Sequence, residues 1–134
     1  MRIIVFDQWE KLVTLLRNVA AGSATEKTQY GIVRVEPKDG RAQLVDRAAN
    51  NLAVNGGTTT VVMPDMVPGK ARDFMLRMTA SGENEIAFTG AGAFEGEEGA
   101  LEPPGDGETV VYFFTETSSD VLLVARKAVE RIET

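Results

Sequence analysis

The 134-residue sequence predicts a mainly β chain of the α+β class, an antiparallel β-sandwich with one N-terminal amphipathic helix. Three observations lead there. Short β-branched and aromatic runs recur along the chain, separated by clusters of Gly, Pro, Asn and Asp. Helical periodicity is clear in a single segment near the start. The regular alternation of strand and helix that a doubly wound sheet requires is missing.

Taken in order, Arg2 to Phe6 is apolar and β-branched and reads as a short strand. Asp7-Gln8-Trp9-Glu10 has the form of a capping box. Asp7 is placed to accept from first-turn amides, and Glu10 to reach back. Trp9, Leu12, Val13, Leu16, Val19 and Ala20 follow helical spacing, and Gly22 is placed to stop the helix. The stripe Trp9, Leu12, Leu16 and Val19 also fits positions a and d of a heptad. It covers about two heptads, fewer than the three or four of a sustained coiled coil. The stripe is therefore open to two readings, packing on its own domain or meeting copies of itself about a symmetry axis.

Ser23 to Gln29 reads as a loop and Tyr30 to Glu36 as a strand. Pro37-Lys38-Asp39-Gly40 has turn chemistry, which makes Ala42 to Val45 the expected returning strand of a hairpin. Asp46 to Asn51 is ambiguous between a helical turn and a loop. Asn55-Gly56-Gly57 is a strong break before a β-branched strand, Thr58 to Met63. Pro64 to Gly69 carries two prolines and a glycine and is the expected subdomain boundary. The predicted organisation is thus 1–63, helix plus hairpin, and 64–134, the antiparallel sandwich.

Beyond that boundary Arg72 to Thr79 alternates, with Phe74, Leu76 and Met78 on one face. Arg72 shares their parity and is expected at the rim, paired with a carboxylate or a loop carbonyl. Ser81 to Asn84 reads as a turn and Glu85 to Thr89 as a strand. Gly90 to Gly107 reads as acidic loops around a short strand. Thr109 to Glu116 is apolar on both faces and should be central. Ser118-Ser119-Asp120 then turns the chain into a partner strand, Val121 to Lys127. No internal repeat is visible.

Composition excludes several functions. The chain has no His and no Cys, so imidazole catalysis, thiolate nucleophiles, disulfides and zinc–thiolate sites are ruled out. A net charge of −6 opposes binding to nucleic acid or to an anionic membrane surface. No stretch approaches the roughly 20 apolar residues of a spanning helix, so no membrane insertion is expected. The Arg2 to Phe6 run is short and broken by Asp7, so no signal peptide is expected either.

Acid/base chemistry would have to use carboxylates. Glu95, Glu97, Glu98, Glu102, Asp106 and Glu108 share one Gly/Pro loop, where solvated acids are the ordinary reading. The loop offers hard oxygen ligands for calcium, but not at EF-hand spacing. Asn55-Gly56-Gly57-Thr58 lacks the Gly-Lys-Ser/Thr of a phosphate loop. Lys70, the lysine that could serve a Ser or Thr nucleophile, has no nucleophile motif beside it. No catalytic, metal or cofactor residue is assigned. Phe94, Glu95, Glu97, Glu98 and Asp106 form the candidate binding loop, and Trp9, Leu12, Leu16 and Val19 the candidate oligomer face. A carbohydrate-binding module, with Trp9, Tyr30, Phe94 or Tyr112 as its aromatic platform, is the main rival; a carboxylate hydrolase using Glu97 and Asp106 and an assembly cap are two more.

Pro68 to Met78, with Arg72, Phe74 and Arg77 in an R-x-F-x-x-R pattern, is followed by Ile86-Ala87-Phe88. After the acidic loop come Tyr112-Phe113-Phe114-Thr115-Glu116 and Val121 to Lys127. This succession resembles the C-terminal β-module of phage tail-fibre and baseplate appendage proteins, over residues 64 to 127. Trp9 to Val13 with Leu15-Leu16-Arg17 resembles short helices of such fibres, and Asp46 to Asn51 their linkers. The resemblance implies a non-enzymatic structural or receptor-attachment component, often trimeric, in a virion or prophage. Its partners would be other tail proteins or a host-surface glycan, and its location the virion or the bacterial cytoplasm during assembly. It implies no cofactor and transfers no catalytic residue.

Overall fold

A computed structural model describes residues 31–129; the expected strand at Arg2–Phe6 and the helix bearing Trp9, Leu12, Leu16 and Val19 lie outside them. Seven strands follow in this span: β1 (Gly31–Val35), β2 (Arg41–Gln43), β3 (Ala48–Val62), β4 (Asp73–Thr89), β5 (Ala93–Gly96), β6 (Thr109–Ser118) and β7 (Val121–Ala128). They form one mixed sheet in the order β1-β3-β4-β6-β7-β5, with β2 also beside β3. The mainly β expectation holds, and the described residues contain no helix.

The expected antiparallel pairing does not hold throughout. β1, β2 and β4 all run parallel to β3, and β5 runs parallel to β7. β6 is antiparallel to both β4 and β7. Alternation of side chains is the same in either direction, so the residue pattern carries no information on it. The expected hairpin at Pro37–Gly40 is corrected accordingly. Lys38 and Arg41 form one isolated antiparallel bridge, but β1 and β2 then both lie along β3 in the same direction.

Parallel neighbours usually need a long crossover. Here the strands themselves bend to supply it. β1 lies beside Ala48–Leu52 and β2 beside Thr60–Val62. Leu44 to Arg47 alone return the chain from one end of β3 to the other. Fully extended, the five steps from Gln43 to Ala48 reach roughly 17 Å. The 15 residues of β3, if straight, would span about 50 Å. β3 must therefore fold back near its middle, and its register with β4 slips between Asn55 and Gly57. Gly56 and Gly57 have φ of 81° and 83° there, a left-handed conformation that glycine adopts at little steric cost. β4 has its own positive φ, 79°, at Gly82. The chain thus winds as stacked parallel turns, and the β6–β7 hairpin pairs with the first half of β4. Asn55-Gly56-Gly57 and Ser81-Gly82, which read as breaks between strands, are corners within them.

Side chains from later segments cap these corners, Asn84 of β4 and Asp106 of the loop before β6. The Gly56 N–H donates to Asn84 Oδ1 at 2.8 Å, and the Gly82 N–H to Asp106 Oδ1 at 2.7 Å. Amides left unpaired where a ladder bends would otherwise need water. Asn50, fully buried, does the same work between turns. Its Oδ1 accepts from the Val45 N–H at 2.9 Å, and its Nδ2 donates to the Val45 and Met75 carbonyls, each at 3.0 Å. Asp46 Oδ1 accepts from the Arg47 and Asp73 N–H groups, both at 2.9 Å.

One hydrophobic core joins the turns. Phe74, Leu76 and Met78 of β4 are buried together with Val110, Tyr112 and Phe114 of β6, as their alternation predicts. The Phe74 and Phe114 rings stack at 4.9 Å. Leu52, Val54 and Val61 of β3 belong to the same cluster. The β3–β4 ladder and this core both cross the boundary expected at 63/64. Leu76→Ala should lower unfolding free energy by about 2–5 kcal/mol, as large-to-small core substitutions do. A urea titration followed by far-UV circular dichroism would measure it, and a change below about 1 kcal/mol would contradict a shared, tightly packed core.

Candidate functional site

Arg72, 1% exposed, lies at the entry to β4, and its guanidinium makes four side-chain hydrogen bonds. Its Nη1 donates to the Pro64 and Gly90 carbonyls, each at 3.0 Å. Its Nη2 donates to Glu116 Oε2 at 3.0 Å and to Asp120 Oδ1 at 2.9 Å. Glu116 also accepts from the backbone N–H of Arg72 at 3.0 Å and of Asp120 at 2.9 Å. The guanidinium therefore ties together the β3–β4 connection, the segment after β4 and the β6–β7 turn. The partner types, carboxylate and loop carbonyl, are those the residue's parity suggested. Its depth is not, because the rim position is closed over by the turns on either side.

Electrostatics keep this node charged. Burial opposes the Arg72 charge, yet hydrogen bonds to Glu116 and Asp120 outweigh it and hold the guanidinium above its ordinary value. Burial also opposes charge on Glu116. The Arg72 backbone and side chain and the Asp120 N–H prevail, and its carboxyl is held below the ordinary value. Asp73, one residue on, is shifted the other way: burial raises its pKa, with partial relief from the Thr115 hydroxyl, which donates to its Oδ1 at 3.1 Å.

The node also places the acidic loop. The Asp120 carbonyl accepts from the Gly92 and Ala93 N–H groups at 2.9 and 3.2 Å, which starts β5 beside β7. A Cβ at Gly96 would lie 2.5 Å from the Val124 carbonyl oxygen, so only glycine permits this approach. Farther on, the Glu102 carbonyl accepts from the Tyr112 hydroxyl at 2.5 Å and from Arg126 Nε at 2.8 Å. Burial pushes the Tyr112 phenol up to about 12, so it remains a donor at any ordinary pH.

Between these anchors Phe94, Glu95, Glu97 and Glu98 line an open depression of about 490 Å³ with Leu101, Glu102 and Val124. The structure thus brings four of the five candidate loop residues together. Asp106 lies elsewhere. It caps Gly82 and lines a second open depression, about 620 Å³, with Gly57, Thr58 and Glu83 to Glu85. Phe94 is half-buried, its ring edge-on to Phe114 at 6.4 Å, so much of it serves the core. Tyr112 is fully buried, and Trp9 and Tyr30 lie outside the described residues. Among the described residues no group of three or more acidic side chains is placed to hold a metal ion.

Asn50, Asn84 and Tyr112 carry fold-defining bonds that the sequence reading did not single out. The bonds from Asn50 to the Met75 carbonyl and from the Gly56 N–H to Asn84 span 25 and 28 residues, a separation that leaves no local signature.

No protein-family model matches the chain, and no curated protein and no solved structure shows significant similarity to it.

Glu116→Gln should destabilise the fold by about 3 kcal/mol, the lower end of the cost of stripping a buried charge, because Asp120 remains with Arg72. The variant should also have a flatter acid limb. With its folded-state pKa depressed, Glu116 contributes stability that is complete above the ordinary carboxylate value and lost as pH falls through the depressed one. Asp73, with its pKa raised, has the opposite slope: its contribution is complete below the ordinary value and lost as pH rises through the raised one. Urea midpoints measured from neutrality down to about pH 3 would show the parent falling more steeply than Glu116→Gln. Parallel curves would refute this account.

Proposed function

We propose that the chain is a non-enzymatic structural or attachment component of a phage-like tail fibre or baseplate, working as a homotrimer. Its partners are other tail proteins or a host-surface glycan. The observation that carries this reading is an edge that none of the described residues covers. Among the described residues β1 ends the sheet, and its Ile32 is 77% exposed. An open strand edge with an apolar side chain is a surface that proteins ordinarily cover, and a symmetric assembly supplies that cover. Met66 and Val67, on the loop between β3 and β4, add further exposed apolar surface. Arg72, Glu116 and Tyr112, whose ionisation the fold shifts, support a structural role as well, since each is engaged in holding turns together.

In this reading the sheet closes over its core in two sandwich-like layers. The amphipathic helix predicted ahead of it places Trp9, Leu12, Leu16 and Val19 along the assembly axis. The depression at Phe94, Glu95, Glu97 and Glu98 supports a second reading, a stand-alone carbohydrate- or protein-binding module, because it is open and held by rigid anchors.

Light scattering on a sizing column, at two concentrations, tests the assembly. The expected mass is three times the chain's 14.5 kDa. Replacing Leu12 and Leu16 together by Asp should reduce it to the monomer mass. A parent protein that is monomeric at both concentrations would count against the fibre reading and favour the stand-alone module.

A further inference from the structure

The corner at Asn55-Gly56 carries a chemical property that the winding of the chain controls. Of the asparagines in the sequence, Asn55 alone precedes a glycine. In such a pair the following residue has no side chain to shield its backbone nitrogen. That nitrogen, once its proton is lost to solvent base, attacks the asparagine Cγ. A new N–Cγ bond closes a cyclic imide, and the side-chain nitrogen leaves as ammonia with protons from water. Water then opens the imide at either carbonyl, giving aspartate or isoaspartate. One water is consumed and one ammonia released, with no change of oxidation state.

Asn55 is exposed, and its side chain makes no hydrogen bond among the described residues, so the electrophile is free. The nucleophile is not. The Gly56 N–H donates to Asn84 Oδ1 at 2.8 Å, while Asn84 Nδ2 is held by the Ser81 and Gly82 carbonyls, each at 3.2 Å. A proton engaged in that bond is harder to remove, and a nitrogen fixed toward Asn84 is not free to swing onto Cγ. Glycine at this position is required by its φ of 81° rather than by crowding, since a Cβ there would approach nothing nearer than 3.9 Å. The fold thus demands the one residue that makes the step reactive, and its next turn supplies the restraint.

We propose that Asn55 is a latent self-modification site, converting to aspartate or isoaspartate through the Gly56 nitrogen, and that Asn84 is the residue that holds it in check. Conversion adds a negative charge one corner away from Glu83, Glu85 and Asp106, which line the neighbouring depression. The isoaspartate form also lengthens the β3 backbone where its register with β4 already slips. Modification therefore loosens the same corner that restrains it.

The test is peptide mapping by mass spectrometry of the full-length protein, incubated at mildly alkaline pH and sampled over days. Asn84→Ala should convert at Asn55 faster than the parent by on the order of tenfold, the factor that one net hydrogen bond represents. Asn84→Asp, which keeps an acceptor oxygen toward Gly56, should stay close to the parent rate. The parent incubated in denaturant provides a comparison independent of any variant's folding, and should convert on the order of tenfold faster than the native parent. Equal rates for native and denatured parent would overturn the proposal. So would a folded Asn84→Ala variant that converts no faster than the parent, or an Asn84→Asp variant as fast as Asn84→Ala.

Discussion

A guanidinium cannot remain in an apolar interior without acceptors, and the arrangement around Arg72 follows from that requirement. Its Nη groups reach two carbonyls and two carboxylates, drawn from the connection before β4, the segment after it and the β6–β7 turn. None of these segments would be held in place by apolar burial alone, because each is a connection made largely of small, polar or turn-forming residues. A buried ion pair of this kind adds little net stability compared with a well-packed apolar substitute. What it does impose is geometry, since each partner left behind would be a buried, unpaired charge. β5 and the acidic loop inherit their position from that geometry through the Asp120 carbonyl.

The second constraint is the bending of the long strands. Parallel pairing without helical crossovers forces β3 to fold back at Asn55–Gly57, and each fold exposes backbone amides. Asn84 and Asp106 answer the amides of Gly56 and Gly82, in each case from a residue farther along the chain. Corner conformation and stacking of turns are thereby coupled: a side chain of one turn completes the backbone of the turn before. The same coupling explains why a reactive Asn-Gly step persists at such a corner. The winding needs glycine there, and the stacked turn quiets its amide.

In the proposed reading, function on this scaffold is a matter of surfaces. The interior polar groups, Arg72, Glu116, Asn50 and Tyr112, are spent on joining turns. The outward features are an edge strand with Ile32, an apolar loop at Met66 and Val67, and a depression rimmed by Glu95, Glu97 and Glu98. These two groups answer to each other. The rigid interior fixes the loops, and fixed loops bind at a lower entropic cost than mobile ones. An attachment component and a stand-alone binding module both draw on that property, and they differ in whether β1 meets another subunit.

Much of the strand content was legible in the sequence. The alternation of Phe74, Leu76 and Met78, the two apolar faces of Thr109–Glu116 and the turn at Ser118–Asp120 are local patterns, and local patterns survive into the fold. The absence of His and Cys likewise set limits on chemistry that no tertiary arrangement could lift. Part of the candidate loop was readable too, since Phe94, Glu95, Glu97 and Glu98 are neighbours in sequence as well as in space. Strand direction, the separation of Asp106 from that loop and the depth of Arg72 were decided by tertiary structure alone. Alternation has the same period in parallel and antiparallel sheets, and a glycine corner looks the same whether a strand ends there or bends. The partners of Arg72 lie on segments far along the chain, so only the stacking of the turns could bring them to it.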